Sequence, residues 1–366
     1  MVTIHQIRQV FAGKRVFLTG HTGFKGSWLL QILAYCGAEV TGYALPPEKA
    51  HDLYCQIDGD SLCVKSHFKD IRNIDQLKAA FDEAKPDFLF HLAAQPLVLK
   101  SYQDPLYTFE VNTMGTAHVL EVLKKYNQPC VAVMVTTDKV YENNDTGKNF
   151  SENDPLGGFD PYSASKAACE LIISSYRHSF FHHSNMAAHR KSIVSVRAGN
   201  VIGGGDYADN RIIPDIIRSL ENNEEIVLRN PKSTRPWQHV LEPLAIYLDL
   251  AMHMFKEPDK WNEAFNIGPD KSDVWTVEDL AKEAIAVAGK GRLRIEQNPD
   301  APHEAALLML DNQKIKDKLD WKPRMNAREA IGASIQWYLE DEDASTRCLK
   351  QIKSFFDDEI QDAEHD

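Results

Sequence analysis

The sequence predicts an α/β protein: a doubly wound parallel sheet joined to a smaller mixed α/β lobe. Short β-branched and aromatic runs alternate with helical patterns as far as Arg197, and a glycine-spaced turn links the first run to the first helix. Beyond Arg197 the alternation breaks down. Glycine and polar or acidic residues dominate 199–210, and short helix and strand pieces then follow irregularly.

Arg15–Gly20 (RVFLTG) reads as the first strand and stops at a glycine. Phe24, Trp28, Leu29, Ile32, Leu33 and Cys36 then share one helical face, with Gly37 placed to end it. Glu39–Ala44 is the second strand, Asn73–Ala84 a helix and Phe88–Leu92 a buried strand. Tyr107–Tyr126 reads as one long helix, followed by a strand at Cys130–Thr136, a helix at Pro161–Phe181 and a strand at Ile193–Arg197. The expected division is a dinucleotide-binding domain over 1–197, to which 240–268 returns, and a substrate lobe over most of 198–330. A C-terminal helix and an acidic, frayed tail complete 331–366.

The 366 residues are 43% apolar and 26% charged, enough for a sizeable core without disulfides or metals. A net charge of -12 disfavours nucleic acid and anionic membranes as partners. The six cysteines form no C-x-x-C and read as buried small side chains in a reducing compartment. No secretory signal and no membrane-spanning run is visible, which points to the cytoplasm. His178, His182 and His183 stand at helical spacings without a matching carboxylate or cysteine set, so no metal is expected.

Gly20-His21-Thr22-Gly23-Phe24-Lys25-Gly26 is G-x-x-G-x-x-G between a strand and a helix. Glycine permits the tight turn and lets backbone N–H groups approach a pyrophosphate, so a Rossmann-type dinucleotide site is expected. The second strand ends in Gly42-Tyr43-Ala44-Leu45-Pro46-Pro47, with neither a carboxylate for a ribose hydroxyl nor an arginine for a 2'-phosphate. That position leaves NAD and NADP both open. Asp70-Ile71 is a candidate adenine contact.

Tyr162-Ser163-Ala164-Ser165-Lys166 puts a phenol and an ammonium on one helical face. A nearby ammonium favours the phenolate, which would make Tyr162 a base for a sugar hydroxyl. Thr137-Asp138-Lys139 follows a buried strand, where open parallel sheets bind their ligands.

Taken in order, the glycine loop, His91-Leu92-Ala93-Ala94-Gln95, Asn112, Thr137-Asp138, Tyr162-x-x-x-Lys166 and Arg197-x-x-Asn200 resemble the extended short-chain dehydrogenase/reductase family over nearly the whole chain, to Trp321-Lys322-Pro323. Within it the chain is most similar to the nucleotide-sugar 4,6-dehydratases, those acting on CDP-glucose above all. Lys139, the Gly42–Pro47 strand end and Pro302-His303-Glu304-Ala305 carry that finer likeness.

The resemblance implies NAD as cofactor, held by Gly20, Thr22, Gly23, Phe24, Lys25, Gly26, Asp70, Ile71, Leu92, Ala93, Ala94, Gln95 and Asn112 together with Tyr162 and Lys166. It implies that Tyr162 takes the O4 proton, Lys166 assists it, Thr137 hydrogen-bonds O4 and Asp138 protonates the departing C6 hydroxyl. Lys139 is then either the base at C5 or a charged group that stabilises the enolate. Asn200, Arg211 and Arg235 fall where the family contacts a nucleotide sugar, here CDP-glucose. A homodimer through a four-helix bundle and a place in deoxysugar biosynthesis for lipopolysaccharide O-antigen are also implied. A 4-epimerase or 4-reductase on the same scaffold, or a non-catalytic dinucleotide-binding regulator, are the alternatives.

Overall fold

A computed structural model describes residues 2–143, 147–296 and 308–357. The Pro302–Ala305 segment and the tail from 358 onward lie outside the described residues.

The chain opens with α1 (Ile4–Phe11), β1 (Arg15–Thr19), α2 (Phe24–Tyr35), β2 (Glu39–Ala44), the short α3 (Leu53–Gln56), β3 (Lys65–Phe68), α4 (Ile74–Ala84) and β4 (Phe88–His91). It continues through α5 (Val98–Gln103), α6 (Pro105–Phe109), a π-helical turn at Glu110–Met114, α7 (Gly115–Lys125), β5 (Cys130–Val135), β6 (Asn149–Phe150), α8 (Pro161–Ser179), α9 (Met186–His189) and β7 (Lys191–Ala198). The second lobe begins with β8 (Val201–Ile202), α10 (Ile212–Glu221), β9 (Ile226–Leu228), β10 (Thr234–Arg235) and β11 (Gln238–His239). Then come α11 (Leu241–Lys256), β12 (Ala264–Ile267), β13 (Trp275–Thr276), α12 (Val277–Ala288), β14 (Leu293–Ile295), β15 (Met309–Leu310), α13 (Gln313–Leu319), α14 (Ala327–Leu339) and α15 (Ala344–Asp357).

Seven parallel strands form one sheet in the order β12-β7-β5-β4-β1-β2-β3. β5 shows why this sheet needs cover on both faces. Its residues alternate between two cores: Val131, Val133 and Val135 join the side packed by α1, α2, α11 and α15, whereas Cys130, Ala132 and Met134 join the side packed by α4, α7 and α8. α2 is apolar nearly all round, with Trp28, Leu29, Leu30, Ile32 and Leu33 fully buried. A helix of that kind has to be enclosed, and α15 packs against it from the C-terminal end of the chain. Each such large side chain contributes about 1.5–3 kcal/mol by burial.

A separate core of Ile213, Ile216, Leu220, Leu280, Ile331 and Ile335 holds α10, α12 and α14 together. Among the described residues, four two-stranded pairings, such as β11 with β8 and β15 with β6, make up the rest of the strands.

The stretch expected as one helix over Tyr107–Tyr126 differs in the structure. Asp104 caps a new start at Tyr107 N–H, Pro105 occupies the first turn of α6, and the π-helical turn separates α6 from α7. A π turn adds a residue to the helical repeat and redirects one side chain. Here that side chain is Asn112, which reaches β4's exit and α8.

Candidate active site

The strand ends β1, β4 and β5 converge on one edge of the sheet, and each delivers a segment of the site. Gly20 has φ +76°, and a Cβ there would lie 2.7 Å from the Ala93 backbone nitrogen. A Cβ on Gly26 would lie 2.0 Å from the Gly20 carbonyl oxygen. These two glycines therefore close the turn against the sheet. Gly23 differs: it caps α2, and its Cβ would meet nothing nearer than Gly20 O at 3.5 Å. The loop thus leaves bare backbone at a helix start, a cradle suited to a dinucleotide pyrophosphate. Thr22 Oγ1 donates to Leu45 O at 2.9 Å and ties the loop to β2, while Phe24 lies under Gly203 of the second lobe.

Lys25 is enclosed, its Nζ donating to the Tyr247 hydroxyl at 3.3 Å. Burial brings its ammonium down to about 7, and the charges of Arg211 and Lys166 push the same way against Asp138. His21 is buried against Gly42, where a Cβ would stand 2.4 Å from the imidazole ring. Glycine in the second strand is needed to seat that ring.

Leu92 N–H donates to Thr19 O, and Ala93 N–H to Thr19 Oγ1 at 3.2 Å, so the exit of β4 is pinned to β1. Ala94 follows on the same exit. Asn112 accepts from Gln95 N–H at 2.8 Å and donates to Gln95 O and to Ser165 Oγ at 2.9 Å. Its amide is spent on clamping this exit to α8. Asp70 accepts from Arg72, which holds its carboxyl below the usual range, and Ile71 packs against Gly115.

Tyr162 and Lys166 lie on the first two turns of α8, which Asp160 caps by accepting from Ser163 N–H at 3.0 Å. Both are buried. The ammonium was expected to draw the phenol down; in the structure burial dominates and pushes it up to about 12. The nearby Thr137 hydroxyl and Arg211 oppose that rise, whereas Asp138 adds to it. Lys166 Nζ donates instead to Val135 O at 3.1 Å, and burial holds its ammonium below its ordinary value. Thr137 Oγ1 donates to Asp138 Oδ1 at 2.9 Å. Asp138 and Lys139 start a single 3-10 turn that Thr137 caps.

Behind these groups lies a residue that the sequence reading passed over. Glu170 continues the spacing of Tyr162 and Lys166 along α8, and that four-residue step was its visible signal. It accepts from Thr136 Oγ1 at 2.5 Å, Ser195 Oγ at 2.9 Å and Arg197 Nη2 at 2.8 Å. Arg197 in turn donates to the Tyr141 hydroxyl, which donates to Asn266 Oδ1 on β12. Gly199 was also missed: a Cβ there would stand 1.9 Å from Asp138 Oδ2, so only glycine lets that carboxyl lie flat against the chain.

On the second-lobe side, Arg211 immediately precedes α10 and pairs with Asp206 at 3.0 Å. Its charge bears on both Tyr162 and Lys25, so it shares their cleft. Asn200 takes φ +47° and accepts Gln238 N–H through its carbonyl. Arg235 sits on the β10–β13 ribbon and donates to Thr234 O. A small cavity beside Asp138 is lined by Gly199, Gln238, Ile267, Met309 and Leu310. Among the described residues no helix is long and apolar enough to cross a membrane.

The chain is 44% identical to a CDP-glucose 4,6-dehydratase from Salmonella typhimurium, covering 90% of this chain and 92% of that protein. It is 25% identical to a dTDP-glucose 4,6-dehydratase of the same organism, covering 93% and 96%. Among solved structures, a Bacillus anthracis dTDP-glucose 4,6-dehydratase in complex with NAD matches with TM-score 0.73 at 21% identity, over 89% of this chain and 97% of that one. A Thermus thermophilus UDP-glucose 4-epimerase complex with NAD matches with TM-score 0.75 at 24% identity, over 90% and 100%. These two establish a shared fold. The GDP-mannose 4,6 dehydratase family matches residues 17–333, and the chain belongs to that family.

Proposed function

We propose that the protein is an NAD-dependent CDP-glucose 4,6-dehydratase, a hydro-lyase that converts CDP-D-glucose to CDP-4-dehydro-6-deoxy-D-glucose. The observation that carries this reading is the 44% identity to a CDP-glucose 4,6-dehydratase across nine-tenths of both chains. The bare Gly20–Gly26 cradle, the β4 exit at Ala93–Gln95 and the Tyr162–Lys166 helix are the parts that would hold NAD. Bound there, NAD would supply the hydride acceptor for C4 and the donor for C6.

The rest of the chemistry falls to the chain itself. Tyr162 accepts the O4 proton, and Thr137 holds the oxygen beside it. The C4 ketone acidifies the C5 proton. Asp138, packed flat against Gly199, gives a proton to the departing C6 hydroxyl. Lys139, on the same 3-10 turn, is the base at C5. Arg211 and Arg235 supply guanidinium groups for the diphosphate, with Asn200 beside them. Epimerases share the phenol and the ammonium but have no hydroxyl to expel, and the Asp138 position favours the dehydratase.

Incubation with CDP-glucose, dTDP-glucose, UDP-glucose and GDP-mannose tests the reading. The alkaline absorbance of a 4-keto-6-deoxy sugar is expected with CDP-glucose at the highest kcat/KM. Equal or better turnover of dTDP-glucose or GDP-mannose would overturn the cytidine assignment. Solvent deuterium incorporation at C5 tests Lys139, because Lys139→Met should abolish it while some reduced cofactor still forms.

The protein acts as a cytoplasmic homodimer in this reading. Leu106, Phe109, Met114, Leu171 and Phe180 stand exposed on and beside the helices that would pair across a two-fold axis. Sedimentation of the wild type against Leu171→Glu is the check, with a shift to monomer expected.

A further inference from the structure

The cavity beside Asp138 has room for a water-sized group. Its lining is apolar side chain or bare glycine except at two residues, Asp138 and Gln238. Asp138 carries the acid of the dehydratase reading, whereas no step of that reading uses Gln238.

Gly199 seats both side chains. A Cβ there would stand 1.9 Å from Asp138 Oδ2, and its carbonyl accepts from Gln238 Nε2 at 2.9 Å. The same Nε2 reaches Ile267 O at 3.4 Å. Two carbonyls at one end of the amide fix that end as nitrogen, since an oxygen there would face oxygen twice. The other end, Oε1, is buried and has no hydrogen-bond partner among the described residues. Gln238 is 3% exposed, and its backbone N–H is tied to Asn200 O on β11's approach to β8. The amide therefore has no route to bulk water. A buried acceptor held in this way is costly unless a donor comes to it.

We propose that Gln238 Oε1 accepts the proton of the sugar's C6 hydroxyl, so that the cavity between Asp138 and Gln238 holds the leaving oxygen. The proposal rests on the dehydratase reading above and adds a residue to its elimination step. A hydroxyl has one proton and two lone pairs. With the proton given to Oε1, a lone pair is turned toward the Asp138 carboxyl. In elimination the C5 proton passes to the base and its bonding pair forms the C5–C6 double bond. The C6–O bond breaks with its pair on oxygen, and Asp138 gives its proton to that oxygen. Water leaves with one proton from Asp138 and the one shared with Oε1. Asp138 ends as a carboxylate and Gln238 is unchanged. Positive charge grows on the oxygen as the second proton arrives, so its hydrogen bond to Oε1 is stronger in the transition state than in the ground state.

The test sets oxygen against fluorine at C6. CDP-glucose and its 6-deoxy-6-fluoro analogue, both with deuterium at C5 to keep elimination the step being read, are followed in single turnover. Reduced cofactor forms on oxidation at C4 and decays through elimination and hydride return, and the enone that takes up the hydride is the same from both substrates. Fluorine has no proton to give to Oε1. In Gln238→Met the decay with CDP-glucose should slow about ten- to a hundredfold, the worth of a hydrogen bond to a charged group. Formation of reduced cofactor, and its decay with the fluoro analogue, should stay near wild type. Equal slowing with both substrates would overturn the proposal, because an amide that only braces Gly199 and Ile267 serves both leaving groups alike. Loss of cofactor reduction in the variant would overturn it as well, by making Gln238 part of the framework. If wild type reduces no cofactor with CDP-glucose, the dehydratase reading itself falls, a result distinct from equal slowing.

Discussion

Arg197–Glu170 and Arg211–Asp206 are both arginine–carboxylate pairs, with N–O distances of 2.8 and 3.0 Å. The first is sealed: its side chains are 5% and 1% exposed, and Glu170 is surrounded by Thr136, Ser195 and Arg197 donors. The second opens on the cleft, where the Arg211 side chain keeps 35% exposure. The same chemistry therefore does two jobs. On α8 it ties the helix to the exits of β5 and β7. At the start of α10 it leaves a guanidinium partly open to solvent. The polar side chains of this site sort along that line: Glu170, Arg197, Asn112 and His91 are sealed among framework partners, while Tyr162 and Asp138 are buried beside the charge of the part-exposed Arg211.

If that division is right, changes in the cleft cost turnover and changes behind it cost stability. The largest effect belongs to Tyr162→Phe. Loss of a general base costs about 10²–10⁴-fold in rate. The ring's packing remains, so cofactor reduction in single turnover should collapse while the thermal midpoint stays put. Near-normal turnover would break the comparison at its centre.

Glu170→Ala should do the reverse. Removing one partner of a sealed pair costs about 3–5 kcal/mol, because the remaining charge is stranded. Urea unfolding should show that loss, and Glu170→Met with Arg197→Met should recover much of it. If the single variant is as stable as wild type, the pair is not the strut that its burial implies.

Arg211→Ala is expected to raise KM for the nucleotide sugar by about ten- to a hundredfold, the worth of a hydrogen bond to a charged group. Asp206→Ala tests the contrast with Glu170: Asp206 is itself buried but its arginine keeps 35% side-chain exposure, so water can solvate the stranded guanidinium and less stability should be lost than in Glu170→Ala. A loss as large as that of Glu170→Ala would erase the distinction between the two pairs.

The smallest effect concerns pH. Burial holds His91 down at about 3, between the hydroxyls of Thr19 and Thr116. A histidine depressed in the folded state stays neutral there while the unfolded chain takes up a proton. Its stabilisation is complete above about pH 6.5 and is lost as pH falls toward the folded value. Thermal midpoints taken down this range should fall less steeply in His91→Asn than in wild type.

Much of the framework was legible in the chain because its signals are local. Strand runs such as CVAVMV and the G-x-x-G-x-x-G turn declare themselves by periodicity and glycine spacing. Tyr162-x-x-x-Lys166 was legible for the same reason, since a helix fixes which residues share a face. The break near Asn112 was not, because a π turn depends on what the side chain finds across the gap, here Gln95 and Ser165. Glu170 was hidden too. Its step from Lys166 was visible, but its partners come from Thr136, Ser195 and Arg197, far apart in sequence.

By itself the sequence determined the strand and helix order, the phosphate cradle and the phenol–ammonium face, all set by interactions a few residues long. Tertiary structure alone decided what surrounds that phenol. An ammonium four residues away suggested a lowered phenol, yet proton affinity depends on everything that displaces water around the oxygen. Enclosure by the sheet, α8 and the second lobe outweighs one neighbouring charge, and Lys166 donates to Val135 O.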